Sequence, residues 1–204
     1  MNTDSLQKYL MQSKEFGFLS PKEIEEQIMH SKELFEMLPV FSGELLDVGA
    51  GGGLPSFVFM NQENRFKFTL LDAMNKRTDF LKAVSGELDK KDRFKVINGR
   101  AETIARMPEY ENEFDIVVAR GFGSPSVVAE CSTGFIKLNG YLFVSGSPDG
   151  ESLRWDVDGL KLLGLNLVEV KEGKYSTGVV IQKVGAPENK YPRRDGVPRR
   201  KPIW

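Results

Sequence analysis

Short apolar segments alternate with amphipathic segments over most of the chain. The apolar segments are rich in branched and aromatic residues, which predicts buried strands at 45–48, 66–71, 94–97, 114–119 and 141–144. The segments between them have apolar residues at helical spacing, which predicts helices at 54–60, 75–88, near 102–107 and after Ser124-Pro125. Strands that alternate with helices pair in parallel, with helices on both faces of one sheet.

The two ends of the chain depart from this alternation. The residues Ser20-Pro21-Lys22-Glu23 have the spacing of a capping box with proline at the first helical position, which predicts a helix that starts here and stops at Pro39. Near the other end, 165–170 and 178–184 are β-rich and are separated by a polar loop that has no room for a crossover helix. They should therefore form an antiparallel hairpin.

These elements predict an α/β protein with a Rossmann-like, mostly parallel seven-stranded sheet that ends in an antiparallel hairpin. This arrangement is typical of class I methyltransferases that use S-adenosylmethionine, whereas dinucleotide-binding folds usually end with a further crossover. A length of 204 residues suits one domain. We expect an N-terminal helical segment at 1–40, the sheet domain at 41–184 and a C-terminal tail at 185–204.

Composition excludes several other classes of protein. Apolar residues make up 40% of the chain without a run long enough to cross a bilayer, and the first residues lack the features of a secretory signal, so we expect a cytoplasmic protein without membrane contact. One cysteine and one histidine are too few for a disulfide framework, for a metal site built from several thiolates or imidazoles, or for a Ser/His/Asp triad. We predict that Cys131 is a buried packing residue and that His30 lies on a helix surface or packs.

The tail has a charge that differs from the rest of the chain. Residues 185–204 contain six basic and two acidic residues and have a net charge of +4, while the other 184 residues contain 22 basic and 27 acidic residues and have a net charge of −5. Four prolines exclude a long regular helix or a central strand there. The segment is either a solvated, disordered terminus or an extended arm that binds RNA phosphates and bases. The candidate RNA-binding residues are Lys190, Arg193, Arg194, Arg199, Arg200 and Lys201.

A glycine-rich loop, Asp47-Val48-Gly49-Ala50-Gly51-Gly52-Gly53, follows the first predicted strand and precedes the first crossover helix, where an open α/β sheet binds its ligand. Its glycines allow a sharp turn and a close approach of the backbone to a ligand. A dinucleotide fingerprint counted from Gly49 would need glycine at position 54, where the chain has Leu54, so the pattern favours S-adenosylmethionine. A tight turn that binds nothing is the alternative.

Three further positions follow the ends of predicted strands. Asp72 ends the second strand, 19 residues after Gly53, where a carboxylate can accept hydrogen bonds from both ribose hydroxyls or can merely cap the next helix. Ala101-Glu102 follows the third strand, beside the expected place of the adenine, although Glu102 also suits the first turn of a helix. Arg120 follows the fourth strand and could bind the methionine carboxylate, bind a substrate phosphate, or pair with Asp47 or Asp115.

Five segments together form a more specific pattern than any one of them alone: DVGAGGGLPS, LLDAMNKRTDFL, GRAE, FDIVVARGF and KYPRRDGVPRRKPIW. In this combination the chain resembles, from about Glu44 to its end, the glucose-inhibited division protein B family. Members of that family are small-subunit ribosomal RNA methyltransferases that modify N7 of a guanine. The resemblance implies S-adenosylmethionine as cofactor and ribosomal RNA or the small ribosomal subunit as partner, and a monomer is expected. It also implies that the cofactor contacts Gly49, Leu54, Ala101, Glu102 and Arg120, to which the spacing arguments add Gly51, Gly53 and Asp72.

The chain departs from this family pattern mainly on the substrate side. Ser56 stands where the family usually has glycine, Val144-Ser145-Gly146-Ser147 replaces a segment that commonly contains Lys-Gly, and Phe18-Leu19-Ser20 occupies the place of an Asn-Leu-Thr signature. The alternatives to ribosomal RNA methylation are a methyltransferase of the same fold with a different RNA or small-molecule substrate, and a non-catalytic RNA-binding relative. The scarcity of His and Cys fits transfer to guanine N7, because that nitrogen already has a lone pair and needs no general base. Removal of the tail before Lys190 is expected to weaken RNA binding and to leave cofactor affinity unchanged.

Overall fold

The computed structural model describes residues 3–62, 65–87, 93–146 and 151–204. Its strands are β1 Ser42–Val48, β2 Arg65–Asp72, β3 Phe94–Asn98, β4 Phe114–Ala119, β5 Ile136–Ser145, β6 Leu165–Glu172 and β7 Thr177–Lys183. Its α-helices are α1 Thr3–Glu15, α2 Ile24–Glu36, α3 Ser56–Phe59, α4 Asn75–Glu87, α5 Ala101–Ile104, α6 Pro125–Thr133, α7 Val157–Leu162 and α8 Val197–Arg200, with a 3₁₀ helix at Glu151–Arg154.

The strands form one seven-stranded sheet in the order β3-β2-β1-β4-β5-β7-β6. The first five strands pair in parallel, while β7 is antiparallel to both β5 and β6. The predicted fold class, including the terminal hairpin, is confirmed. The chain moves from β1 outward to β3 and then returns to the other side of β1 with β4, so the carboxyl ends of β1 and β4 flank a crevice at the point where the strand order reverses.

Helices cover both faces of the sheet because alternate residues of its central strands are apolar on both sides. On β4, Ile116 and Val118 belong to the core under α1, α2, α3 and α4, while Val117 and Ala119 belong to the core under α5, α6 and α7. No helix in the described ranges is long and apolar enough to span a bilayer.

Two predicted element boundaries at the ends of the sheet domain were wrong. Helix α2 begins at Ile24 rather than within the capping box, because Glu23 takes the N-cap position and no side chain caps the helix. Strand β5 begins at Ile136, well before the predicted strand at 141–144, and it contains an irregularity, with Asn139 at φ 67° and a register shift against β4. The sequence analysis also missed α1, whose Leu6, Tyr9 and Leu10 are buried in the core. The predicted end of α4 at residue 88 lies outside the described residues.

The tail is folded against the domain, which excludes the disordered terminus, one of the two alternatives that the sequence left open. The tail contains a short helix, the four-residue α8, in spite of its prolines. Pro198 lies in the first turn of α8, where a backbone N–H has no partner within the helix, so the missing N–H of proline costs nothing. The last residues are fixed by hydrogen bonds from Ile203 N–H to Ser126 Oγ (2.8 Å) and from Trp204 Nε1 to the carbonyl oxygen of Arg154 (3.1 Å).

Candidate active site

Two adjoining cavities open at the carboxyl ends of β1, β2 and β4. The first cavity, of about 340 Å³, lies between β1, β2 and α5 and contains Asp72, Ala101, Glu102 and Phe122 in its wall. The second cavity, of about 320 Å³, lies between the glycine loop, Arg120 and the segment before α2. Both are lined by Gly49, Arg77 and Gly121, so they form one continuous crevice. Their volumes are typical of small-molecule sites.

The glycine loop forms the floor of this crevice. Gly49 has φ 75°, and a Cβ built on it would overlap the ring of Phe122, so only glycine fits there. At Gly53 a Cβ would overlap the ring of Phe57, which packs the loop onto α3. Gly51 and Leu54 line the second cavity. The loop therefore presents mostly backbone to a ligand in either cavity.

Asp72 lies at the carboxyl end of β2, as predicted, and forms part of the first cavity. Its Oδ2 accepts hydrogen bonds from Gly51 N–H (2.9 Å) and from Arg77 Nη1 (3.4 Å), and its Oδ1 accepts one from Met74 N–H (2.9 Å). The carboxylate thus connects the glycine loop to the turn before α4. Arg77, which was not predicted, is the third residue of α4, and no local pattern distinguished it from other basic residues of that helix.

Ala101 and Glu102 form the first turn of α5 and line the first cavity. Glu102 is only 3% exposed, and its Oε1 accepts hydrogen bonds from Arg100 Nη2 (3.1 Å) and from Gly196 N–H in the tail (2.9 Å). Burial alone would raise the pKa of Glu102, but these donors outweigh it and hold the pKa below its ordinary value. The Glu102 carboxylate is therefore occupied by the protein itself, which leaves the backbone of this turn to face a ligand.

Arg120 lies at the end of β4 and reaches into the second cavity. Its Nη2 donates to Gln27 Oε1 (3.2 Å) and its Nη1 donates to Ser31 Oγ (3.5 Å), both on α2. Neither predicted carboxylate pairs with it, because Asp115 bonds to Lys137 and Asp47 bonds to Ser56. Burial lowers the pKa of Arg120, and the charge of Asp47 partly opposes this. A half-buried guanidinium whose hydrogen bonds within the described residues go to neutral acceptors is suited to binding an anionic group.

Asp47, at the start of the glycine loop, is 1% exposed, and its Oδ2 accepts a short hydrogen bond from Ser56 Oγ (2.6 Å). Its Oδ1 has no partner among the described residues. Burial raises the pKa of Asp47 to about 7, although Ser56 and Arg120 lower it. Ser56, which departs from the family's usual glycine, therefore supplies a donor to a buried acid under the loop.

The segment before α2 forms the outer wall of the second cavity, a role that sequence reasoning did not assign. Phe18, Leu19 and Ser20 line this cavity together with Gln27. The amide of Gln27 also donates to the carbonyl oxygens of Ser20 (3.4 Å) and Lys22 (3.2 Å). Only the tertiary structure brings α2 to the glycine loop, and no local pattern in 18–27 indicated a ligand.

The six basic tail residues have different environments. Arg193 forms a bidentate ion pair with the fully buried Glu130 (2.6 and 2.8 Å), and Lys190 pairs with the exposed Glu188 (2.8 Å). Arg199 lines the first cavity. The other three, Arg194, Arg200 and Lys201, form no ion pair within the described part of the chain.

Neither the cysteine nor the histidine lines the crevice. Cys131 is buried in α6, as predicted, and burial raises the pKa of its thiol. Burial, together with Arg120 and Lys22 nearby, lowers the pKa of His30 to about 4, so this imidazole is neutral at physiological pH. The crevice thus contains no imidazole and no thiolate.

Comparison with known proteins identifies the family of this chain. The family model of the rRNA small subunit methyltransferase G, GidB, matches residues 6–173. The chain belongs to this family. It is 34% identical over 168 residues to ribosomal RNA small subunit methyltransferase G of Alkaliphilus metalliredigens, covering 79% of this chain and 70% of that protein. It is 33% identical over 212 residues to the protein of the same name from Lactobacillus acidophilus, covering 96% and 88%. The resemblance given by the sequence motifs is confirmed, and the match extends upstream into α1.

Solved structures that are similar to this family member show the same fold. A SAM-dependent methyltransferase from Aquifex aeolicus has a TM-score of 0.57 at 19% identity and covers 88% of this chain and 98% of its own. The ribosomal protein L11 methylase from Lactobacillus delbrueckii has a TM-score of 0.58 at 13% identity, with 82% and 84% covered. These likenesses confirm the class I methyltransferase fold.

Proposed function

We propose that this protein transfers the methyl group of S-adenosylmethionine to N7 of a guanine in small-subunit ribosomal RNA, and that it does so as a cytoplasmic monomer. The observation that supports this most directly is the crevice between β1 and β4, where Asp72 and Arg120 lie on opposite sides of a glycine floor. Membership of the family supplies the reaction class and the RNA.

The residues of the crevice match the chemical groups of the cofactor. Asp72 offers carboxylate oxygens to the two ribose hydroxyls. The turn at Ala101 and Glu102 offers backbone groups to the adenine, and Phe122 offers an apolar surface. Arg120 offers a guanidinium to the carboxylate of the methionine part, next to Gly49, Gly51, Gly53 and Leu54. S-adenosylmethionine, when bound, supplies an electrophilic methyl group on its sulfonium.

The protein has to orient the reactants rather than move a proton. Guanine N7 has an exposed lone pair at neutral pH, so the absence of an imidazole or thiolate from the crevice fits this acceptor. Holding N7 in line with the methyl group and the departing sulfur can supply roughly 7–11 kcal/mol of barrier reduction. The wall formed by Phe18, Leu19 and Ser20 borders the same cavity as the glycine loop and is the surface we assign to the incoming base.

The RNA contacts are assigned to the outer surface of the tail. Arg194, Arg200 and Lys201 are cations without a carboxylate partner in the described ranges, and Lys190 is exposed although it pairs with Glu188. Arg193 is held by Glu130, so we expect its main effect to be on the fold of the tail. Phosphate contacts by such residues position an RNA without reading its sequence.

The test uses purified full-length protein, S-adenosylmethionine with a labelled methyl group, and either small ribosomal subunits or their naked RNA from cells that lack this protein. We expect label in 7-methylguanosine after nuclease digestion and mass spectrometry. Label in another nucleoside, or in a small molecule while the RNA stays unlabelled, would contradict the assigned acceptor. Absence of calorimetric binding of S-adenosylhomocysteine would contradict the enzyme assignment altogether and would favour an RNA-binding relative.

A further inference from the structure

Arg199 of the tail lies in the wall of the first cavity, 127 residues along the chain from Asp72. Its Nη2 donates to the carbonyl oxygen of Phe122 (3.0 Å), which follows β4 and lines the same cavity. We propose that the C-terminal tail is a wall of the cofactor site, in which Arg199 contacts the adenosine end of the cofactor. This inference rests on the proposed function, because it requires S-adenosylmethionine to occupy the crevice.

The tail is anchored to the same turn that borders the adenosine end. Gly196, at φ 73°, directs its N–H to Glu102 Oε1 (2.9 Å), and the neighbouring Asp195 accepts a hydrogen bond from Thr103 Oγ1 (2.7 Å). Glu102 is buried, so the loss of a donor would leave a carboxylate short of hydrogen bonds. Docking of the tail and the shape of the α5 turn therefore depend on each other.

Contacts on both sides of Arg199 fix its position before any ligand binds. Upstream, Arg193 forms an ion pair with Glu130, whose side chain is completely buried. Downstream, Ile203 N–H bonds to Ser126 Oγ, and the ring of Trp204 lies where a Cβ on Gly159 would be. The tail on both sides of Arg199 is thus already ordered, which limits the conformational entropy lost when this exposed side chain contacts a ligand.

The charges around the first cavity indicate which part of the cofactor Arg199 meets. Arg77 is bonded to Asp72 and Arg100 to Glu102, while Arg199 has no carboxylate partner among the residues that the structure describes. A guanidinium can stack on a purine or donate to its ring nitrogens. The sulfonium is positive and would repel a cation, so Arg199 belongs at the adenine end, away from the Arg120 side of the crevice.

The first experiment compares Arg199→Ala with Arg65→Ala in the full-length protein by calorimetry. Arg65 is an exposed arginine at the amino end of β2, on the opposite edge of the sheet. We expect Arg199→Ala to weaken binding of S-adenosylhomocysteine and of 5′-methylthioadenosine by the same factor, about three- to tenfold, which is the size of one hydrogen bond. We expect Arg65→Ala to bind both as the wild type does.

The inference would be overturned if Arg199→Ala bound both ligands with wild-type affinity. It would also be overturned if only the affinity for S-adenosylhomocysteine fell, because that result would place Arg199 at the amino-acid end of the cofactor. A wild-type protein that binds neither ligand would instead overturn the proposed function. The two failures are therefore distinguishable.

A second experiment needs no variant and so does not depend on a substitution being tolerated. Trypsin is applied to the wild-type protein under native conditions, and cleavage after Arg199 and Arg200 is followed by mass spectrometry with and without S-adenosylhomocysteine. We expect the ligand to slow cleavage at these two bonds at least threefold. Equal rates with and without saturating ligand would show that the tail is not part of the site. Slower cleavage with ligand would also contradict the expectation from sequence that the tail does not affect cofactor binding.

Discussion

Three charged residues at the crevice are removed from water to different degrees, and the fold stabilises each in a different way. Glu102 is buried but accepts hydrogen bonds from Arg100 and the backbone of Gly196. Arg120 is half-buried and donates hydrogen bonds to two neutral side chains of α2. Asp47 is buried with one donor and has a raised pKa, so it keeps its proton more readily than an exposed acid. Buried charge without a partner is costly, which makes these positions sensitive to substitution.

The Asp72 carboxylate is expected to be the acceptor for the ribose hydroxyls. Asp72→Asn should weaken binding of S-adenosylhomocysteine by about ten- to a hundredfold, since a hydrogen bond to a charged group contributes roughly 1.5–3 kcal/mol. Calorimetry measures this, with Asp79→Asn on the exposed side of α4 as the matched control. Unchanged affinity in Asp72→Asn would mean that the carboxylate only joins the glycine loop to α4.

Asp47 should make the stability of the protein depend on pH. Its pKa is about 7 in the folded state and 3.8 when exposed, so between these values only the unfolded state ionises, and stability falls as the pH rises towards 7. In Asp47→Asn the side chain at position 47 does not ionise, so this loss of stability with rising pH is absent. Relative to wild type, the variant should gain about 3 kcal/mol between pH 5 and pH 8.5, measured by urea unfolding at both pH values. A difference between the two proteins that does not change with pH would contradict the raised pKa.

At the scale of elements, α2 joins the crevice to the terminal hairpin. Near its start, Gln27 and Ser31 hold Arg120. Near its end, Glu33 accepts hydrogen bonds from Lys174 N–H and Tyr175 N–H, both at 2.7 Å, in the loop between β6 and β7. The helix thus fixes one wall of the second cavity against the rigid sheet.

Gln27 is expected to position Arg120 for the cofactor's carboxylate. Gln27→Ala should weaken binding of S-adenosylhomocysteine about fivefold but leave 5′-methylthioadenosine, which lacks that carboxylate, unaffected. Gln27→Glu should weaken S-adenosylhomocysteine further, because the new carboxylate would compete for the guanidinium. Calorimetry with both ligands measures these effects, and Gln182→Ala on β7 is the control for loss of an amide. Equal losses for the two ligands would show that Gln27 shapes the whole crevice instead.

At the scale of the molecule, a tail with a net charge of +4 is folded onto a body with a net charge of −5. Part of the positive charge is used internally, most clearly by Arg193 with Glu130. The rest is left on the outer surface, next to the crevice that Arg199 borders. This distribution of charge supports the proposal that RNA binds beside the crevice rather than over the whole surface.

The outer cations of the tail should determine the salt dependence of RNA binding. Replacing Arg194, Arg200 and Lys201 by glutamine should lower the slope of log K against log salt concentration by about 2, since each contact with single-stranded phosphate contributes about 0.7. Filter binding with a ribosomal RNA fragment at several salt concentrations measures the slope. The same replacement at Lys67, Lys82 and Lys95, which are exposed on the β2 and β3 side, should not change it. An unaltered slope in the tail variant would exclude the tail as the phosphate-binding surface.

The sequence alone was sufficient to predict the order of strands and helices along the chain, because alternation and hydrophobic period are local properties. It also placed the glycine loop and Asp72 at the same edge of the sheet, since the carboxyl ends of parallel strands meet there. Its motifs were sufficient to indicate the family that the comparisons confirm. It could not give the start of α2 or β5, because tertiary packing overrides local capping and turn signals at element ends.

Which distant residues complete the crevice depends on how the helices and the tail pack against the sheet. Gln27 contacts Arg120, 93 positions away along the chain, and Gly196 contacts Glu102, 94 positions away. No periodic pattern in the sequence indicates either contact. A basic, proline-rich tail has the same composition whether it is solvated or docked. Its conformation was decided by a few specific partners, above all the buried Glu130, whose need for a counter-charge appears only when the helix that contains it is packed against the sheet.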